Sequence, residues 1–146
     1  MNKTGLVLIA LTLVASLMGP KPSAAEGAVA IASTGDVKKD GISIGAAVDR
    51  PTKEAAIAEA IKQCHEYADE HAPRITGLCK IVKTFRRQCF ADAYDPKTGT
   101  PGAGWAIGSG RAAAEASALA ACEATAGADR RGFCKGSGNT ICDTHD

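Results

Sequence analysis

Apolar residues recur at helical spacing in two segments of the chain. In residues 52–64 they lie three or four positions apart, and neither Pro nor Gly interrupts the segment. Thr52 has a side chain suited to capping the start of such a helix. Residues 111–124 form the second segment, which is so rich in Ala that its buried face must approach its neighbour closely. The pattern predicts two helices, with Leu119 as the one large anchor of the second.

Short runs of β-branched and aromatic residues, bounded by Gly, Pro and Asp, predict strands elsewhere. These runs are residues 27–32, 42–48, 80–85, 89–94 and 105–108. Each half of the chain then contains two strands and a helix, with room for a further strand. We therefore expect a small α+β domain with an antiparallel sheet.

The two predicted helices belong to an internal repeat. Residues 52–64 align with residues 110–122 without a gap, and both segments end on a cysteine. The next cysteines also lie in similar surroundings, Gly-Leu-Cys79-Lys and Gly-Phe-Cys134-Lys. Self-similarity over this length indicates that one structural unit occurs twice.

The first strand of each half extends the repeat. Residues 28–32 resemble residues 89–93, and a turn containing Gly, Asp and Lys follows each of them. Residues 26–146 are therefore predicted to form a single domain of two similar halves, residues 27–85 and 86–146.

The N-terminal segment has the pattern of an export signal. Lys3 precedes an uncharged apolar run, residues 5–19, which is shorter than the roughly 20 residues that a membrane-spanning helix needs. Ser23 and Ala25 are small residues at the −3 and −1 positions of a cleavage site. We expect a signal peptide of residues 1–25 and a mature protein, periplasmic or extracellular, without a stable membrane anchor.

Six cysteines, an even number in a chain with an export signal, indicate a disulfide framework rather than a metal site. They are Cys64, Cys79, Cys89, Cys122, Cys134 and Cys142. Six cysteines permit 15 pairings, and the repeat favours closing each helix-end cysteine onto the next one along the chain. The expected pairs are Cys64 with Cys79, Cys122 with Cys134, and Cys89 with Cys142.

Charge argues against nucleic acid as a partner. Removal of residues 1–25 leaves 15 basic residues against 16 acidic ones, a net charge of about −1. The basic residues occur in runs no longer than a pair. Neither a nucleic-acid-binding surface nor a polybasic membrane tether is therefore predicted.

The order of motifs in the second half resembles a known family. A Gly-Ala-Gly-Trp-Ala run at 102–106 precedes the Ala-rich residues 110–122 and the later Cys134. Together with Gly-Ala-Val-Ala-Ile-Ala at 27–32, this order resembles the bacterial secreted domain-of-unknown-function family 4189. The resemblance implies export, disulfides and an undefined role, and it supplies no catalytic residues. The first half departs from it, with no Gly-Trp before its helix.

The densest group of ligand-type side chains is residues 65–71, His-Glu-Tyr-Ala-Asp-Glu-His. A zinc-protease helix places two His four positions apart, whereas His65 and His71 are six apart. His65 and Asp69 do share a helical face, which allows a weak surface metal site and makes them candidates for a binding surface. The alternative is a solvated, acidic helix end.

Trp105, the only tryptophan, is the remaining candidate for a binding surface, with core packing as its alternative. The glycines at 102–110 miss the spacing of a dinucleotide-binding loop, and no phosphate-binding loop occurs. No serine lies in a nucleophile elbow, and full pairing of the cysteines leaves no reactive thiol. We predict no catalytic residue, no metal and no cofactor.

These features favour an exported, non-enzymatic module that binds a protein or cell-envelope partner, for example an immunity or inhibitor protein. One alternative is an envelope-acting hydrolase that uses His65, Glu66 and Asp69. The other is a structural or stress-related envelope protein.

Overall fold

The computed structural model describes residues 26–143 of the 146-residue chain. The predicted signal peptide and its cleavage site after Ala25 lie outside the described residues. Within residues 26–143, no helix is both long enough and apolar enough to cross a membrane.

The first half builds a three-stranded antiparallel sheet with a long helix on one face. Its elements are β1 (Glu26–Ala32), α1 (Val37–Asp40), β2 (Ser43–Arg50), α2 (Lys53–His71), a 3-10 helix (Pro73–Leu78) and β3 (Lys80–Phe85). The strand order β2-β1-β3 makes β1 central. The Thr52 side chain accepts a hydrogen bond from the Ala55 amide at 3.1 Å and so caps α2, as predicted. The helix continues past Cys64 to His71.

The second half has a similar order of elements, but it lacks a counterpart of α1 and has two short strands in place of β3. Its elements are β4 (Cys89–Tyr94), β5 (Ala103–Gly108), α3 (Arg111–Thr125), a 3-10 helix (Ala128–Arg130), β6 (Lys135–Gly136) and β7 (Ile141–Cys142). β4 is central, with β5 on one side and the two short strands β6 and β7 on the other. The α+β class with antiparallel strands is confirmed. The strands form one sheet in each half.

The two sheets pack face to face, and each helix covers the outer face of its own sheet. Alternate residues of β1 and β4 pack against α2 and α3, while the residues between them face the other sheet. The apolar side chains between the sheets form one group, which we call the inter-sheet cluster. Its buried members are Val29, Ile31, Phe85 and Phe90, and its half-buried members are Ile42, Ile44, Ala46, Val48, Trp105, Ile107 and Ile141.

Small side chains let each helix lie directly on its sheet. The buried positions are Ala56, Ala60, Cys64 and Ala68 on α2, and Ala114, Ala118 and Cys122 on α3. The closest approaches are at Gly45 and Gly104, where an added Cβ would lie 2.1 Å from the Ala60 carbonyl oxygen and 2.2 Å from the Cys122 nitrogen, respectively. The helices therefore pack on glycine, which has no side chain to hold them apart.

Leu119 does not anchor α3, so the sequence prediction is wrong at this position. Its side chain is 39% exposed, on the outer part of the helix. The buried face of α3 lies against glycines, and the gap between helix and sheet has room for Ala but not for Leu.

Gly45 and Gly104 make corresponding contacts with their helices and therefore mark equivalent positions in the two halves. The strand registers then match Ala30 with Ala93, because Ala30 pairs with Gly45 and Ala93 with Gly104. The first residue of β4 therefore corresponds to the first residue of β1. The sequence alignment had matched it with a residue two positions further along β1. Side chains alternate with a period of two, so a shift of two residues leaves the pattern of buried positions unchanged.

Three disulfides brace the halves, and no cysteine is free among the described residues. They join Cys64 to Cys79, Cys89 to Cys142, and Cys122 to Cys134, which is the pairing that the repeat favoured. Two of them tie a helix to the segment leading into the outer strand of its sheet, and the third joins β4 to β7. Disulfides persist in oxidising compartments, so the framework is compatible with export.

A bidentate ion pair holds the chain after α3 to the turn after β4. The Arg130 guanidinium donates to both carboxylate oxygens of Asp95, at 2.7 and 2.8 Å, and the Lys97 amide adds a third bond at 2.9 Å. The Asp95 side chain is buried. Its hydrogen bonds from Arg130 outweigh the cost of desolvation and lower the pKa of Asp95 from 3.8 to about 2.

We expect this pair to make stability depend on pH between about 4 and 2. Because the folded-state pKa of Asp95 is lowered, its contribution is complete above pH 3.8 and is lost as the pH falls towards 2. Arg130→Met should remove this dependence, whereas Arg111→Met, which changes an exposed arginine, should retain it. Thermal unfolding of the three proteins from pH 6 to pH 2 measures the difference. Parallel curves for wild type and Arg130→Met would rule out the assignment.

Candidate functional site

A groove of about 680 Å³ opens between the two sheets along the free edge of β2. We call it the inter-sheet groove. Its apolar floor consists of Ile42, Ile44, Ala46, Phe90 and Ile141. Both halves therefore contribute to one surface. Two half-exposed tyrosines also line it, Tyr67 from α2 and Tyr94 from β4.

The two halves differ in side-chain size at a pair of equivalent positions, one of which lines the groove. Ala46 follows Gly45 in β2, and Trp105 follows Gly104 in β5, so the two residues correspond. Both point into the inter-sheet cluster. The second half fills its share of the space with an indole ring, and the first half leaves it open with a methyl group.

Trp105, predicted as a candidate binding residue, is half-buried in the inter-sheet cluster, where it packs against apolar neighbours. It does not line the inter-sheet groove. Trp105 is informative by comparison, because it shows how much space a side chain of its size would fill at Ala46.

The groove contains one charged side chain, Asp92. The register places Asp92 at the position equivalent to Val29, which is fully buried in the inter-sheet cluster. The Ser137 hydroxyl donates to Asp92 Oδ1 at 2.6 Å, and the Ser137 amide donates to the Asp92 carbonyl at 3.0 Å. Asp92 is therefore a carboxylate at an apolar position, held in place by the loop between β6 and β7.

The Gln63 side chain hydrogen-bonds to the edge of β2 that borders the groove. Its Oε1 accepts a hydrogen bond from the Ala46 amide at 3.3 Å, and its Nε2 donates to Glu59 Oε1 at 3.0 Å. This second bond is the main reason that the pKa of Glu59 is lowered. Ile44 lies two residues from Ala46, so it also turns its backbone groups away from β1.

The predicted His65, Glu66 and Asp69 lie along one helix and not in the inter-sheet groove. They lie on α2, where Glu66 pairs with Lys62 at 3.8 Å, and Asp69 is exposed. They line neither the inter-sheet groove nor a second groove, of about 490 Å³, beside Leu119 on α3. Within residues 26–143, no three His, Cys, Asp or Glu side chains are grouped so that they could hold a metal ion.

Sequence reasoning missed Asp92, Gln63 and the two tyrosines. A signal for Asp92 was present, because it shares a strand face with Phe90 and so places a charge where alternation predicts an apolar residue. Gln63 gave no such signal, since its role depends on how α2 crosses the edge of β2. Chemically, the groove offers a mixed surface with an apolar floor, one carboxylate, and a strand edge whose Ala46 amide is bonded to a side chain.

Comparisons with curated proteins and with solved structures find no match. A family model described as a domain of unknown function, DUF4189, matches residues 27–142. That range contains both sheets, both long helices and all six cysteines. The chain therefore belongs to the DUF4189 family.

Proposed function

We propose that this protein is an exported, non-enzymatic module that recognises a protein or cell-envelope partner through the inter-sheet groove. The observation that carries the proposal is the groove itself, an apolar cleft of about 680 Å³ at the junction of the two halves. Its volume lies within the range typical of ligand sites, which are mostly apolar with a few placed polar groups. An immunity or inhibitor protein is one concrete form of such a module.

The lining of the groove suits recognition. Tyr67 and Tyr94 are 49% and 48% exposed, and aromatic side chains of this kind dominate the energetics of protein interfaces. The Tyr67 ring stacks on His71, with centroids 4.3 Å apart, so one of the two is already supported. A partner that covers them would bury a large apolar area without first ordering a loop.

The scaffold keeps the walls of the groove in place. Cys89–Cys142 joins β4 to β7, and both strands contribute to the floor through Phe90 and Ile141. Cys64–Cys79 holds α2, which carries Gln63 and Tyr67. Rigid walls lower the ordering cost of association, which favours binding.

The hydrolase alternative finds no comparable support. It requires His65, Glu66 and Asp69 to act together on a bound substrate, and a catalytic acid or base must reach the proton that it transfers. Glu66 is 64% exposed and pairs with Lys62. Neither groove contains any of the three residues.

Photo-crosslinking tests the proposal. A photoreactive phenylalanine derivative is placed at Tyr94, beside the groove, or at Leu78, which is similarly exposed (44%) but lies next to β3. On exposure to the exported fraction of the host, the Tyr94 variant should form a discrete adduct and the Leu78 variant should not. Adding Ala46→Trp should abolish the adduct, because the indole fills the groove as Trp105 does in the other half.

Two results would contradict the proposal. One is an adduct of equal yield from both positions, and the other is an adduct from Tyr94 that survives Ala46→Trp. Circular dichroism and thermal unfolding of the Ala46→Trp protein establish that it is folded before it is used.

A further inference from the structure

We infer that the occupant of the inter-sheet groove is an extended segment of a protein partner. It adds as a strand to the free edge of β2 and presents a Lys or Arg side chain to Asp92. This inference rests on the proposed function and specifies the chemistry of the partner.

The edge of β2 is open to pairing up to Ala47, because a bulge and the charged Asp49 and Arg50 follow only there. β2 has a strand neighbour on one side only, and residues 42–48 contain neither a charge nor a proline. Soluble proteins usually block such an edge with charged residues, proline or a bulge. The opposite edge of the same sheet follows this rule, since β3 carries the exposed Lys80 and Lys83. Residues 42–47 therefore present an uncharged part of this sheet's edge to a pairing strand.

The present cover of the edge is replaceable. The Ala46 amide is bonded to the side chain of Gln63 at 3.3 Å, the long end of the normal range. A peptide carbonyl would take the place of Gln63 Oε1, while Gln63 could retain its bond to Glu59. The equivalent edge strand is closed more firmly, because Thr125 Oγ1 bonds both the amide and the carbonyl of Ala103.

Strand addition also brings the right side chains into the groove. Residues of a strand paired with Ile44 and Ala46 share their face of the sheet, so every second side chain of the peptide would point between the sheets. Main-chain hydrogen bonds supply affinity in this mode, and pockets for alternate side chains supply specificity. Phe90 and Ile141 form the apolar surface that these side chains would meet.

Charge complementarity identifies the polar part of the ligand. Asp92 is the only charged side chain among the residues that line the groove, and one of its oxygens is bonded to the Ser137 hydroxyl. A cation on the incoming strand would pair with Asp92 where little water competes. The preferred segment is therefore apolar at alternate positions, with one Lys or Arg among them.

Selection from a phage-displayed library of random linear decapeptides tests the inference, with the mature protein, residues 26–146, as target. We expect enrichment of peptides with alternating apolar residues and one Lys or Arg. Asp92→Asn should weaken a selected lysine peptide about tenfold or more, and should weaken its norleucine analogue much less. N-methylation of the peptide backbone should weaken binding at alternate residues and be tolerated between them, because only every second amide faces β2.

The outcomes separate this inference from the proposed function. Selected peptides that fail to bind Ala46→Trp, yet lack a cation or tolerate N-methylation throughout, would overturn strand addition and leave the groove as the binding site. Selected peptides that bind Ala46→Trp as tightly as wild type would overturn both. Recovery of no peptide above background would overturn the inference, and the crosslink from Tyr94 would still decide the proposed function.

Discussion

Replacing Gly45 or Gly104 with valine is expected to lower the free energy of unfolding by more than about 3 kcal/mol. A Cβ at Gly45 would lie 2.1 Å from the Ala60 oxygen, and one at Gly104 would lie 2.2 Å from the Cys122 nitrogen. Both obstacles are helix backbone, which cannot rotate aside as a side chain can. The helix must lift from its sheet and lose the packing of its alanine face.

Urea unfolding followed by circular dichroism measures this effect. Gly136→Ala is the matched control, because a Cβ there meets nothing within 4 Å. Its free energy of unfolding should stay close to the wild-type value. Equal stability of Gly45→Val and Gly136→Ala would show that the helix does not rest on the sheet as described.

Removal of the Cys89–Cys142 disulfide by a double alanine substitution is expected to cost about 4 kcal/mol. The cysteines are 53 residues apart, so this bond closes the longest loop of the three and restricts the unfolded chain the most. It also fastens β7, a strand of only two residues that contributes Ile141 to the groove. The double variant should therefore lose both stability and partner crosslinking.

The Cys122–Cys134 pair provides the comparison, with a separation of 12 residues and an expected cost of about 3 kcal/mol. Denaturant unfolding of both double variants without reductant gives the two values. A loss below about 1 kcal/mol for Cys89–Cys142 would show that this bond does not brace the second sheet.

Local features of the fold could be predicted from the sequence because each has a short-range cause. Helical spacing and the Thr52 cap locate α2, and β-branched runs locate the strands. The disulfide pairing followed from a longer-range feature, the likeness of the two segments that end at Cys64 and Cys122. Similar segments are expected to make similar contacts, and here they do.

Errors arose where the outcome depends on distances between elements. Leu119 has the size of an anchor, but the glycines beneath α3 bring the sheet too close for it. The offset between β1 and β4 was misjudged by two because alternation cannot detect an even shift. The assembly of two separate sheets depends on face-to-face packing, for which the strand pattern gives no signal.

The candidate site was less predictable than the fold. The sequence drew attention to His65 and Asp69, which cluster along the chain but line neither groove. The groove depends instead on the difference in size between Ala46 and Trp105. These two residues are recognised as equivalent only from the contacts that the neighbouring glycines make with the helices. A small residue in a strand does not by itself predict a groove, because the sequence does not show the space beside it.

The central claim is that the inter-sheet groove is where this protein meets its partner. Amide chemical shifts of isotope-labelled residues 26–146, recorded as a selected peptide or the crosslinked partner is added, test it most directly. The account predicts that the largest changes fall on Ile44, Ala46, Asp92 and Tyr94. Changes concentrated around His65 and Asp69 on α2, with the groove residues unmoved, would contradict it.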